Sequence, residues 1–319
     1  MAAYTVLSTS PTFTKYSAYS ARLLEENDCR LVMISPNEIR QREDFKTILA
    51  EADAWVVGIN KVYAEDMDSA PKLKLIIKHG TGVDSIDVKA AAERGITVAN
   101  TPGTNASAVA DLAFGLILAS ARQIVSADKR TRQGFWGPII GQDVFGKTLG
   151  VLGLGQIGRA LIQRAKGFEM NILGYDVVHN AEFEIQYGVQ AASLEAVIAN
   201  SDYISVHLPL FDSTRNILSH KEFELMKSTA FIINTSRGGV VDEQALYEAL
   251  SKNKIAGAAL DVFSIEPPVK SSFFELDNVI VTPHMGAYTG GTMGAISDIV
   301  SESIVNVLNG KSPLSEVKP

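Results

Sequence analysis

This sequence predicts an α/β protein built from two doubly wound parallel sheets, and three observations predict it. Short apolar runs recur with amphipathic, charge-bearing stretches between them, the pattern of strands alternating with helices. The alternation comes in two series, separated by a break at Thr101-Pro102-Gly103-Thr104-Asn105. The chain has 319 residues, more than one hydrophobic core usually serves, so two domains are expected.

In the first series the strand-like runs fall at 4–8, 30–34, 54–58, 73–78 and 96–99, with helical patterns at 17–26, 43–50 and 87–94. The Pro, Gly and Asn of 101–105 then break the chain and cap an apolar-rich helix over 105–122, which marks the first boundary. The second series runs 148–152, 171–175, 203–206, 230–234, 257–260 and 278–281, each followed by a turn and usually a helix. The second boundary falls at Pro283-His284-Met285-Gly286, beyond which 292–308 reads as one long helix closed by Asn309-Gly310. One domain is therefore expected from 101–285, and a discontinuous one from 1–100 plus 286–319.

Composition narrows the function. At 46% apolar and 20% charged residues the chain is an ordinary globular one. Its 29 Lys and Arg against 36 Asp and Glu give a net charge of −7, and no Lys/Arg-rich run supplies the footprint that nucleic acid or an anionic membrane needs. A small-molecule partner is expected instead. A lone Cys29 builds neither a disulfide framework nor a thiolate metal cluster, so no metal site is expected. The first residues lack a basic stretch followed by an apolar one, and the longest apolar segment, 112–121, is too short to cross a bilayer. Together these lead us to expect a cytoplasmic protein.

The most informative local pattern is Thr148-Leu149-Gly150-Val151-Leu152 running into Gly153-Leu154-Gly155-Gln156-Ile157-Gly158 and then a helix. A strand passing through G-x-G-x-x-G into a helix is the context that dinucleotide binding requires. Gly153 permits the tight turn, Gly155 lets backbone N–H groups approach a pyrophosphate, and Gly158 lets helix and strand pack closely. The helix N-terminus adds partial positive charge. Asp176 follows the next strand, eighteen residues past Gly158. Its carboxylate suits a ribose 2′-hydroxyl and would repel a 2′-phosphate, so NAD is the expected cofactor.

Hydride transfer to a 2-keto acid also needs a cation for the carboxylate and carbonyl, and a proton donor working near neutral pH. Three strand ends each deliver one suitable group: Arg237 after 230–234, Glu266 after 257–260, and His284 after 278–281. Ligands of an open α/β sheet bind beyond such carboxyl ends. A carboxylate beside the imidazole would favour its charged form and fix its tautomer.

The segments 78–87, 153–158, 234–242, 260–268 and 282–286 together resemble the D-isomer-specific 2-hydroxyacid dehydrogenase family, over nearly the whole chain, and within it the short phosphoglycerate dehydrogenases. The resemblance implies two Rossmann-like or flavodoxin-like domains with a cleft between them: a discontinuous substrate domain and an NAD domain. It implies that Arg237 grips the substrate carboxylate and keto oxygen, that His284 is general acid in reduction and base in oxidation, and that Glu266 holds His284. Backbone N–H groups of Gly80, Thr81, Gly82 and Val83 would bind the carboxylate. Gln156 and Ile157 would face the pyrophosphate, Asp176 the adenosine ribose, Thr235 and Asp261 the nicotinamide side, while His207 and Pro209 would line the cofactor. The helix after Asn105 resembles the segment through which members form homodimers, and equally an ordinary core helix.

One departure bears on the substrate. Many phosphoglycerate-specific members carry an Arg in the segment matching 56–61, where the best-aligned residue here is Val57, with Lys61 and Lys78 as candidate replacements. Glyoxylate or hydroxypyruvate reduction is the alternative activity. An NAD(H)-sensing corepressor-like protein would retain the same trio, whereas formate dehydrogenases have Gln where Glu266 stands.

Overall fold

The apolar runs at the centres of the sheets become strands whose two faces are both covered. In a computed structural model, which describes residues 3–36, 38–39 and 43–319, the strand β3 (Ala54–Val57) has all four residues fully buried. Strands sandwiched between two helical layers read as unbroken apolar stretches rather than as alternation. The chain folds into two compact units, one of 1–105 with 287–319 and one of 106–286.

The first unit holds β1 (Tyr4–Ser8), β2 (Cys29–Met33), β3, β4 (Leu75–Lys78) and β5 (Thr97–Ala99), all parallel. Its helices are α1 (Ala18–Glu26), α2 (Phe45–Ala50), α3 (Ala64–Asp68), α4 (Val88–Glu93) and α12 (Gly290–Leu308), and β13 (Glu316–Val317) pairs antiparallel with β5. The sheet order is β13-β5-β4-β3-β1-β2. Successive side chains point to opposite faces. Trp55, Val57 and Ile76 therefore meet Phe45 and Leu49 of α2 and Met67 of α3, whereas Val56, Leu75 and Ile77 meet Ile296, Val300 and Ile304 of α12. Thr289 caps α12 by accepting from Thr292 N, and Gly310 just beyond it takes a left-handed φ of 76°.

The second unit holds α5 (Ala106–Ala121), α6 (Ile124–Arg132), β6 (Thr148–Leu152), α7 (Gln156–Ala165), β7 (Asn171–Tyr175), α8 (Ala181–Tyr187), β8 (Val189–Ala191), α9 (Leu194–Asn200) and β9 (Tyr203–Val206). It continues with α10 (His220–Leu225), β10 (Phe231–Asn234), α11 (Glu243–Ser251), β11 (Gly257–Leu260) and β12 (Val279–Val281). The parallel sheet is ordered β12-β11-β10-β9-β6-β7-β8, so the order reverses between β6 and β9. That is the doubly wound arrangement whose switch point receives a dinucleotide. Helix α5 is a core helix: Ala110, Ala113 and Ile117 pack with Leu161 and Ile162 of α7 over Val151 and Ile233 of the sheet. Helix α6, not expected from sequence, has no buried residue, and exposed Phe135, Trp136 and Ile140 follow it. No single helix among the described residues is long and apolar enough to cross a membrane.

Candidate active site and cofactor loop

The turn between β6 and α7 is built as its glycines require. Gly153 has φ 98°, and a Cβ there would lie 2.7 Å from the His207 carbonyl oxygen. At Gly158 a Cβ would run into the Gly153 carbonyl oxygen. Gly155 differs: it is exposed, begins α7 as its N-cap, and has nothing within 4 Å of a Cβ position, which leaves open space over the N-terminal end of the helix. Gln156 and Ile157 open that helix. Asp176, at the end of β7, reaches the same turn: its Oδ2 accepts from Leu154 N at 2.6 Å and its Oδ1 from Val178 N at 2.9 Å.

Across the switch point, the loop after β9 carries His207 and the exposed Pro209. His207 N donates to Leu152 O at 2.7 Å and its Nε2 pairs with Ser205 Oγ at 2.9 Å. Burial pulls its pKa down to about 4, so the ring is neutral, and its Nδ1 is buried without a partner. Thr235, just past β10, is 7% exposed and its hydroxyl also lacks a partner. An open helix N-terminus at the reversal of strand order, with an acid at the next strand end and two unpartnered polar atoms just past the neighbouring strands β9 and β10, fits a dinucleotide.

The polar trio stands on three neighbouring strand ends. After β10, Asn234 Oδ1 accepts from Ser236 N at 3.0 Å and Ser236 Oγ at 2.8 Å, while its Nδ2 donates to Arg237 O at 3.0 Å. The side chain thus ties the turn that carries Arg237, whose guanidinium donates to Ser236 O at 2.8 Å. At Gly238 a Cβ would strike the backbone of Phe263 and Ser264, so the turns after β10 and β11 touch. Glu266, on the second of these, accepts from Phe263 N at 3.0 Å through Oε1 and pairs with His284 Nδ1 at 2.7 Å through Oε2. Burial opposes its charge, but the hydrogen bond and charge of His284, with the Phe263 N–H and Arg237, outweigh that and hold its carboxyl below the usual range. With Nδ1 committed to Glu266, Nε2 is the nitrogen that His284 offers to a ligand, and the side chain is 46% exposed.

Asp261 takes a part that sequence reasoning missed. It is 1% exposed, and its Oδ1 accepts from Thr282 Oγ at 2.5 Å and Met285 N at 2.9 Å, its Oδ2 from Gly286 N at 2.9 Å. Its carbonyl oxygen accepts from His284 N at 2.8 Å. These bonds clamp the turn on which His284 sits at φ 51°, a left-handed conformation uncommon for a residue with a Cβ. The only sequence signal was an acid at a strand end.

In the first unit, Gly80 (φ 149°) opens a loop whose carbonyl groups are tied back: Thr101 N donates to Gly80 O at 3.0 Å, Asn100 Nδ2 to Thr81 O at 2.7 Å and Ile86 N to Val83 O at 2.9 Å. The Thr81 hydroxyl donates to Thr101 O at 3.1 Å. Among the described residues the N–H groups of Gly80, Thr81, Gly82 and Val83 have no partner, an arrangement suited to an anion. Just before it, His79 Nε2 pairs with Ser297 Oγ at 3.0 Å, and burial pulls its pKa down to about 4. Val57 is fully buried in the core, and Lys78 spends its ammonium on Gly58 O at 2.5 Å and Ser85 Oγ at 3.2 Å. Lys61 is exposed. No three His, Cys, Asp or Glu side chains among the described residues are placed to hold a metal ion.

Residues 114–286 match the family described as D-isomer specific 2-hydroxyacid dehydrogenase, NAD binding domain. A glyoxylate reductase of Korarchaeum cryptofilum is 42% identical over 257 residues, 78% of this chain and 77% of that one. A D-3-phosphoglycerate dehydrogenase of Methanocaldococcus jannaschii is 44% identical over 274 residues, 85% of this chain; the match spans only about half of that longer protein, 52%. The solved D-lactate dehydrogenase of Aquifex aeolicus, complexed with NAD and lactic acid, superposes with a TM-score of 0.82 at 27% identity, covering 96% of each chain.

Proposed function

The chain belongs to the D-isomer-specific 2-hydroxyacid dehydrogenases and is an NAD-dependent oxidoreductase interconverting a D-2-hydroxy acid and its 2-keto acid; on that premise we propose that Arg237, Glu266 and His284 are its catalytic groups. The observation that carries this reading is the 2.7 Å pair between Glu266 and His284 Nδ1, with Arg237 on the adjoining turn. When bound, the nicotinamide supplies or accepts the hydride. In reduction, protonated His284 donates from Nε2 to the developing alkoxide oxygen; in oxidation, the neutral ring takes the hydroxyl proton back. Glu266 fixes the tautomer and stabilises the imidazolium. Arg237, a planar guanidinium, holds the substrate carboxylate and polarises the keto oxygen.

The second unit is the NAD domain, with Gly153, Gly155, Gln156, Ile157 and Gly158 at the pyrophosphate and Asp176 at the ribose, where its charge disfavours a 2′-phosphate. His207, Pro209, Thr235 and Asp261 complete the lining. The first unit is the substrate domain, with the 80–83 loop as carboxylate holder. The substrate is a small, unphosphorylated 2-keto acid, because Val57 stands where an Arg would meet the phosphate, Lys78 is committed to neighbouring oxygens, and the exposed Lys61 is also engaged within the protein. The exposed apolar residues Phe135, Trp136 and Ile140 favour a homodimer, which sedimentation in solution checks. The lone cysteine favours the cytoplasm.

Turnover of glyoxylate and hydroxypyruvate with NADH and NADPH tests the assignment. Replacing His284 with Ala is expected to cut kcat by about 10²- to 10⁴-fold, the range for losing a general acid. Undiminished turnover in that variant would remove His284 from the chemistry, and a preference for NADPH would remove Asp176 from the ribose.

A further inference from the structure

The carboxyl edge of the first unit's sheet holds a polar group with no partner. Asn60 stands three residues past β3, and both its Nδ2 and its Oδ1 are buried without a hydrogen bond. A buried carboxamide left without donor or acceptor partners is a cost to the fold that calls for an explanation. Its position supplies one. The parallel strands run in the order β2-β1-β3-β4-β5, so the winding reverses between β1 and β3, and open α/β sheets bind ligands beyond the strand ends at that reversal. The loop carrying Asn60 also lies beside the loop carrying the free N–H groups of 80–83. The two are paired where they leave the strands, at Val57 and Lys78, and again at Val62 and Ile86, where Val62 N donates to Ser85 O at 2.8 Å.

We propose that Asn60 is a specificity-determining residue, its carboxamide hydrogen-bonding a neutral hydroxyl on the third carbon of a 2-keto acid. This rests on the dehydrogenase reading above and names its substrate class, the 3-hydroxy-2-keto acids. A carboxamide offers one donor side and one acceptor side, and a hydroxyl answers both. A methyl group answers neither. A phosphate dianion has only acceptors, so it could take the Asn60 N–H groups but would leave the Asn60 carbonyl oxygen without a donor.

The test compares kcat/KM for hydroxypyruvate and pyruvate with NADH, in the wild type and in Asn60→Ala. The wild type is expected to favour hydroxypyruvate at least about tenfold, and the substitution to lower that ratio by about ten- to a hundredfold, the range for one lost polar contact. Because no native hydrogen bond is lost, the thermal midpoint of the variant should not fall. An unchanged ratio, or an equal loss on both acids with a lower midpoint, would overturn the proposal. If the wild type reduces neither acid, the dehydrogenase reading fails separately. Calorimetric binding of D-glycerate and D-lactate to the NAD-loaded wild type and Asn60→Ala then still decides the matter, an equal preference in both proteins sinking the role of Asn60.

Discussion

At the scale of single residues, Glu266 and His284 divide one task between charge and proton. The carboxylate is held below its usual range by the imidazole it faces, the Phe263 N–H and Arg237, against the opposing effect of burial, so it stays ionised throughout the neutral range. An anion at Nδ1 favours the protonated ring that reduction needs. Glu266→Gln keeps a hydrogen-bond acceptor but removes the charge. The imidazolium that forms as the proton is held then lacks its counter-charge, and kcat should fall by about ten- to a hundredfold. Steady-state kinetics in both directions measure it, and an undiminished kcat would show that the carboxylate charge does not act on the proton transfer.

At the scale of elements, the turn after β12 is set from outside itself. Asp261, at the end of β11, accepts from the Thr282 hydroxyl and from two backbone N–H groups, and so fixes the left-handed His284. Asp261→Asn replaces one accepting oxygen with a donor that faces these donors. Loss of a buried, charge-assisted acceptor costs about 1–3 kcal/mol, so the variant should melt earlier and lose kcat at least about tenfold. A variant that keeps both its melting temperature and its kcat would show that Asp261 does not set the turn. The same turn marks the limit of sequence reading. That Arg237 and Glu266 follow strands was legible, because strands buried on both faces are written as apolar runs, as at Phe231–Asn234 and Gly257–Leu260, and the strand before His284 was legible as a short β-branched run, Val279–Val281, although it is only partly covered. The clamp was not, because the donors that meet Asp261 lie more than twenty residues downstream and are mostly backbone. Nor was α6, which buries none of its residues and so carries no apolar face. The short strands Val189–Ala191 and Glu316–Val317 exist only through the neighbours they pair with. The orphaned amide of Asn60 looked like any loop asparagine.

At the scale of the whole molecule, each unit holds one neutral histidine away from water, the buried His79 in the first and the half-buried His207 in the second, and desolvation lowers the pKa of both to about 4. An unfolded histidine takes up its proton near pH 6.5. Between about pH 6.5 and 4 the unfolded chain therefore binds protons that the folded chain refuses, and stability falls as pH falls, by up to about 3 kcal/mol for each ring. The carboxyls of Asp202 and Asp242 are lowered although burial opposes their charge, since hydrogen bonds from Lys227 and Thr148 outweigh it for Asp202, and from Ala245 and Ser219 for Asp242. Their contribution is intact above the ordinary Asp range and is lost only as pH drops below about 4, so the two effects occupy separate windows. Urea unfolding at a series of pH values should show a decline through pH 6 and 5 in the cofactor-free protein. His79→Gln and His207→Gln should each flatten that decline, and the double variant should nearly remove it. His79 also anchors the entrance to the 80–83 loop through Ser297, so its substitution tests the first unit, and that of His207 the second. A decline equally steep in both variants would place the acid sensitivity elsewhere in the fold.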